Sequence, residues 1–330
     1  MSFSTQSIKQ LNKKLILNQL KSLELGTKIS LSTATGLSIA TCGNLLKELV
    51  ASGQVIEVEV GPSTGGRPSR QFKYNKDYRL LASIYPRKEG KSPRIFYNIT
   101  NLLGEIIDSS QIECDLNIIK ELDELLHMLV GKYPKISGLS LGVPGVVENG
   151  IIGVCDFDAL IGFPIVDYFT HKYHLKVIAE NDVNSAAYGY YHQHNPNGQE
   201  VLCYIYFPIG GNPGSGIILN GEILNGNSNF AGEVSYMACG YDRYQQCESQ
   251  QNHDAFCDFI TTIIVNINCV INPKTIILSG YCLDQQDIVA IREKITTLIP
   301  KPHIPAIVFE EDLNESYQAG LIHKGLELLD

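Results

Sequence analysis

Ala179-Glu180-Asn181-Asp182-Val183-Asn184-Ser185-Ala186-Ala187 is the stretch on which the fold turns. Ahead of it, residues 175–178 form a short apolar run of strand character, and behind it residues 185–192 carry small side chains at helical spacing. A strand that ends in polar residues and passes directly into a helix sets those side chains in the crevice at the carboxyl end of a sheet. Open α/β folds hold their ligands there.

The surroundings of this stretch have the same rhythm. Strand patterns over 94–98, 136–142, 202–207, 216–219 and 275–278 alternate with helical ones over 118–132, 163–173, 253–271 and 285–298, which is the alternation of an α/β domain. Residues 99–107 read as strand, polar turn, strand. Two glycine-rich segments interrupt the pattern. Gly142-Val143-Pro144-Gly145-Val146-Val147 carries a strand end into a tight loop suited to close backbone approach by a ligand, with Gly145 at its centre. Gly210-Gly211-Asn212-Pro213-Gly214-Ser215-Gly216 leads through a hairpin to Ala231-Gly232-Glu233-Val234-Ser235-Tyr236.

Residues 1–78 differ from this body. A first helix is predicted over 8–25, with Leu11, Leu15, Ile16, Leu20 and Leu23 as its apolar face. Ser32 is expected to cap a brief helix that Gly36 ends, and Ser38 a second one with Ile39, Leu45, Leu46 and Leu49 as its stripe. Two short helices joined through a glycine turn make a helix-turn-helix, whose second helix presents Thr41, Asn44 and Lys47 to a major groove. Val55, Ile56, Val58 and Val60, a turn-rich loop and residues 71–74 then form a hairpin, or wing. Arg67, in Gly65-Gly66-Arg67-Pro68, suits a narrow minor groove, and Arg70 and Lys73 suit phosphates. Each piece also has a plain reading, a protein-interaction bundle or a tight turn. Charge favours DNA: residues 1–80 carry +6 and the remaining 250 carry -15, within a net charge of -9.

With 44% hydrophobic and 18% charged residues, the 330-residue chain is not disordered and has material for two or three domains. It has no apolar run of membrane length and no cleavable leader pattern, so a cytoplasmic protein is expected, without membrane partners. Nine scattered cysteines, with no C-x-x-C pair, are expected to be reduced and mostly buried.

Taken together, these motifs resemble the ROK family, which joins sugar kinases and sugar-responsive repressors on an actin-like, hexokinase-like (ribonuclease H-like) fold. The likeness runs through the Gly-Gly-Arg-Pro wing, Gly142–Gly145, Glu180–Asn184, the glycine-rich hairpin, Ala231-Gly232-Glu233, and Asn272-Pro273-Lys274-Thr275-Ile276-Ile277-Leu278-Ser279-Gly280. It implies a winged helix-turn-helix over 1–78, a first lobe over 79–184 joined by a C-terminal helix near 315–330, and a second lobe over 185–314. Asp182 matches the family's catalytic base and, with Gly145, Asn181, Glu233 and Tyr236, would contact a sugar or sugar phosphate. Asn181-Asp182 also reads as a simple helix cap.

Departures from the family shift the implied function. Active members open the kinase domain with Asp-x-Gly-x-Thr, absent from residues 81–91. Their second phosphate loop, Gly-Thr-Gly-Ile-Gly, is here Gly210-Gly211-Asn212-Pro213-Gly214, where Pro213 removes a backbone donor. Ser235-Tyr236 replaces the Gly-His of the family zinc site, and of its cysteines only Cys239 and a displaced Cys247 remain. Neither metal nor other cofactor is expected; a rebuilt metal site from Cys239, Cys247, His253 and Cys257 is the weaker alternative. The sequence therefore points to a non-catalytic repressor, a homodimer or homotetramer on a double-stranded operator. The alternatives are a sugar kinase with a fused head, and a DNA-bound regulator whose body serves only dimerisation or partner recruitment.

Overall fold

The computed structural model describes residues 5–58, 70–89, 92–114, 117–194 and 200–329. They fall into two compact units: one reaches Leu80 and includes Asn101–Glu105, and the other comprises Leu81–Thr100 and the chain from Ile106 onward.

The first unit is built from α1 (Thr5–Ser22), β1 (Gly26–Thr27), α2 (Lys28–Thr35), α3 (Ile39–Ala51), β2 (Val55–Val58) and β3 (Gln71–Tyr74). The strands form an antiparallel sheet in the order β1-β3-β2. Its core gathers Ile16, Leu20, Leu31, Leu46, Leu49 and Phe72. The apolar face of α1 is narrower than the spacing predicted, because Leu11 and Leu15 stand exposed. Ile39 also lies outside the core stripe of α3 and is exposed. Nor does Ser32 cap α2: the Thr27 hydroxyl accepts the Ser30 N–H at 3.1 Å and the Ser30 hydroxyl accepts the Thr27 N–H at 2.9 Å. This reciprocal capping box starts the helix at Lys28. Gly36 ends it with φ 72°, and the Ser38 hydroxyl caps α3 by accepting the Thr41 N–H. Val60 and the loop carrying Arg67 lie outside the described residues.

The second unit opens with β4 (Leu80–Glu89), β5 (Ser92–Asn101), β6 (Ile106–Glu113), α4 (Ile118–Lys132), β7 (Ile136–Val143), the hairpin β8 (Gly145–Glu148) and β9 (Ile151–Cys155), α5 (Ile165–Tyr173) and β10 (Lys176–Asn181). Its first sheet runs β10-β7-β4-β5-β6. β10 lies parallel to β7 with Asn181 opposite Val143, so the polar end of one strand and the Pro144-Gly145 turn of the other leave the sheet together. α6 (Asp182–His194) follows without a linker, three residues ahead of the helix start expected at 185.

A second sheet, β13-β12-β11-β14-β15, is formed by β11 (Leu202–Tyr206), β12 (Gly214–Leu219), β13 (Glu222–Ile223), β14 (Thr275–Ser279) and β15 (Ala306–Glu310). The chain between β13 and β14 carries α7 (Arg243–Ser249) and α8 (His253–Val270); α9 (Gln285–Leu298) links β14 to β15, and α10 (Asn314–Leu329) closes the chain. β14, flanked by parallel partners β11 and β15, buries Ile276, Ile277 and Leu278 completely, as a strand covered on both faces must. Among the described residues, no helix is long and apolar enough to cross a membrane.

α10 packs against α6 and reaches back onto β7 and β10 of the first sheet. The two helices approach backbone to backbone. A Cβ on Gly189 would fall 1.9 Å from the Ser316 carbonyl oxygen, and one on Gly320 would fall 1.8 Å from that of Ser185. Gly320→Ala should therefore cost about 3 kcal/mol or more in urea unfolding, because backbone cannot move aside as a side chain can. Gly131→Ala, on α4 with nothing within 4 Å, should instead gain about 0.5–1 kcal/mol.

Candidate functional site

The carboxyl ends of β7 and β10, the β8–β9 hairpin and the loops around β12 enclose a cleft of about 290 Å³. Gly145, Asn181, Asp182, Glu233 and Tyr236, which the sequence nominated from three separate segments, all line it. The local structure explains how they meet. Gly145 sits against β9, where a Cβ would fall 2.4 Å from the Val154 carbonyl oxygen, so only glycine lets the hairpin close. The Asn181 side-chain amide donates to the Gly145 carbonyl at 3.1 Å and to Asp182 Oδ1 at 2.9 Å. Its Oδ1 accepts the Asn184 N–H at 2.9 Å, capping α6. The cap reading thus applies to Asn181, and it coexists with a place on the cleft wall.

Asp182 Oδ1 also accepts the Val183 N–H at 2.9 Å. Burial, then the charge of Asp156, push the Asp182 carboxyl up to about 7. Burial likewise raises Asp156 against the pull of Lys88, and raises Glu233 against that of Arg243. The cleft therefore holds three carboxyls that are reluctant to ionise; protonated, each can both donate to and accept from the hydroxyl groups of a ligand, and ionised it only accepts. Tyr236, half in solvent, lies under the Arg243 guanidinium, 4.5 Å from its ring centroid, and against Phe230. Arg243 donates to the Ser235 hydroxyl at 2.7 Å.

Sequence reasoning overlooked Asp156, Tyr206, Ser215 and Arg243, which also line the cleft. Asp156 follows β9, and one signal for that hairpin was present: Asn149-Gly150 between apolar runs, with φ 51° and 79° at the turn.

The glycine-rich loop, of which Asn212, Pro213 and Gly214 line the cleft, has two of its backbone donors satisfied from within. The Gly210 N–H donates to Gln250 Oε1 at 2.8 Å, and the Gly211 N–H to the Pro208 carbonyl at 3.1 Å. Gln250 Nε2 donates to the carbonyls of Pro208 and Gly211 at 3.0 and 3.2 Å. Asn212 is held by its amide to the Arg243 carbonyl at 2.7 Å.

The four residues of the metal alternative do not come together as one group. Cys239 and Cys247 donate to the carbonyls of Tyr241 and Arg243, and neither joins His253 and Cys257. These last two meet Asp287 instead, a residue the sequence did not suggest: its Oδ1 lies 2.7 Å from His253 Nδ1 and accepts from the Cys257 thiol at 3.5 Å. The residues of this chain do not fit the zinc site of the family.

In the first unit, Asn44 and Lys47 are exposed on α3. Thr41 is only half-exposed, with its hydroxyl 2.8 Å from that of Ser38, so it is less available than the pattern implied. Arg70 pairs with Glu57 at 2.8 Å, and Lys73 is exposed on β3.

A two-sheet α/β domain with a polar cleft at the carboxyl ends of its strands has the architecture of the ROK sugar kinases and regulators. Residues 95–257 match the model of the ROK family, and the chain carries a ROK family domain. A xylose repressor of Caldicellulosiruptor bescii is 28% identical over 245 residues, which is 71% of this chain and 60% of that protein. A glucokinase of Halalkalibacterium halodurans is 30% identical over 145 residues, 41% of this chain and 43% of the relative. The chain spans about 60% of the length of the xylose repressor it matches. In fold it is similar to a crystal structure of a ROK family transcriptional regulator, a homolog of E. coli MLC protein, with TM-score 0.73, 16% identity and 97% of each chain covered.

The raised carboxyls give a pH test. A folded-state pKa above the unfolded value means that the folded chain binds the proton more tightly, so stability is lost as pH rises from about 4 toward 7. Asp182→Asn should melt progressively higher than the parent across that interval, measured without ligand; a pH-independent difference would contradict the assignment.

Proposed function

We propose that this chain is a DNA-binding transcriptional repressor whose ROK domain senses a sugar without phosphorylating it. Gln250 carries the second half of this reading. Its side chain occupies the loop that family kinases turn toward nucleotide phosphates, and with Pro213 it leaves few backbone donors for that task. The absence of Asp-x-Gly-x-Thr along β4 agrees. Phosphoryl transfer rests on positioned phosphates and their metal ion, so an occupied loop removes its electrostatic support. Asp182 then serves as an acceptor for a sugar hydroxyl rather than as a base that completes a reaction. Three carboxyls, Asp156, Asp182 and Glu233, stand against one guanidinium, Arg243, in the lining of the cleft, which favours a neutral sugar.

The DNA-binding half draws support from the basic first unit, from Asn44 and Lys47 exposed on α3, and from the xylose repressor relative. In a homodimer, two such helices would meet successive major-groove turns of a palindromic operator. Sugar binding would release DNA only through different affinities for the DNA-bound and free conformations. A cytoplasmic location follows from that role.

The kinase alternative has one observation in its favour, Asp182 at the cleft, together with the glucokinase relative. A coupled ADP-release assay with magnesium-ATP over xylose and common hexoses decides. We expect no turnover above the Asp182→Ala background, and sugar-dependent ADP release by the parent would overturn the proposal.

Two sets of variants test the regulator reading. Lys47→Ala and Arg67→Ala should each weaken operator binding in gel-shift titrations. Where a phosphate contact is lost, the logarithmic salt slope should fall by about 1. Asp182→Ala should keep operator binding and lose the sugar response; a retained response would remove Asp182 from the sensing site.

A further inference from the structure

Behind the cleft lies a second hollow of about 330 Å³, under the β8–β9 hairpin. The two meet at Val146, Asn181, Ser215 and Glu233, each of which lines both. The chemistry of the second hollow is distinct. Asn149, Asn184, Asn225 and Asn229 face it together with Glu180, over an apolar floor that includes Val166 and Val177. A carboxamide both donates and accepts hydrogen bonds, and so does a sugar hydroxyl. Val166 and Val177 offer the apolar surface that the C–H face of a pyranose covers. Neither Lys nor Arg lines the hollow, and Glu180 and Glu233 would repel a phosphate. Its shape is held without a ligand: the Asn229 amide donates to the Val147 carbonyl at 2.9 Å, tying the loop after β13 to the hairpin. Each hollow alone sits near the lower limit of small-molecule pockets, about 300 Å³.

We propose that this hollow is a second glycosyl subsite, so that the effector is a neutral disaccharide or longer glycoside with one ring over Asp182 and the next among the asparagines. The inference rests on the sugar-sensing reading of the first cleft. It adds a selectivity that reading lacks: a phosphorylated or single-ring sugar leaves the second hollow unused and forgoes the hydrogen bonds that its asparagines offer.

Calorimetric titration of the full chain tests it, with xylose, glucose and fructose set against xylobiose, cellobiose, maltose and sucrose. At least one disaccharide should bind tenfold or more tightly than its component monosaccharides. Asn225→Ala, at an exposed position, and Val166→Phe, which fills the hollow, should each remove that gain while leaving monosaccharide affinity within twofold. Neither residue lines the first cleft. The ligand-free melting temperature of each variant reports folding, and Asn225→Ala suffices if Val166→Phe fails to fold. A chain that binds monosaccharides as tightly as every disaccharide, or variants that keep the disaccharide gain, would overturn the second subsite and spare the first. A chain that binds none of the seven sugars would overturn both.

Discussion

The contact between α6 and α10 is the constraint on which the second unit depends. Two glycines, Gly189 and Gly320, let the helix backbones touch, and no other residue fits at either position. That contact fixes the axis of α6, and the chemistry sits where the helix begins: Asn181, the last residue of β10, caps it while holding the Gly145 turn, and Asp182 lines the cleft. Because β10 passes into α6 with no connecting loop, neither residue can shift without moving a strand or a packed helix. Rigidity of this kind keeps an incompletely solvated carboxyl in place despite the tendency of burial to keep it protonated.

On the proposed reading, the same rigidity bears on how a ligand cleft could outlast phosphoryl transfer. Gly145, Asn181 and Asp182 are tied into strand ends and a helix start, whereas the glycine-rich loop is a local structure whose donors near neighbours can match. Gln250, at the end of α7, accepts the Gly210 N–H and ties down the loop by donating to the carbonyls of Pro208 and Gly211. Satisfying a loop from inside the protein removes an anion site and leaves its surroundings undisturbed. On the proposed reading, turnover would be lost in the loop while recognition would be kept at the strand ends and the helix start.

How much was legible in the sequence follows from the range of the interactions involved. Residues 179–187 announced themselves because strand end, cap and helix start are consecutive, and α4 and α9 matched their predicted spans because each carries a regular apolar stripe. Ile39 and Leu11 misled, since a helix packed on one side buries a narrower stripe than its apolar residues suggest. Thr27 was passed over for Ser32 because either can cap, and only the reciprocal bond with Ser30 decides. The β8–β9 hairpin, and Asp156 with it, went unread although Asn149-Gly150 signalled the turn. Gln250 and Asp287 had no signal to find: each acquires its role from partners roughly 30 or more residues away, which no local pattern records.

The placement of α10 also imposes an order of assembly. Its partners α6, β7 and β10 are all synthesised before it, yet the face they share stays open until residues 314–329 have emerged. During translation that face is bare apolar and backbone surface beside parallel strands, a pairing that forms slowly. Nascent chains of this protein should therefore expose that face until α10 has been made, and only then can the two glycines meet.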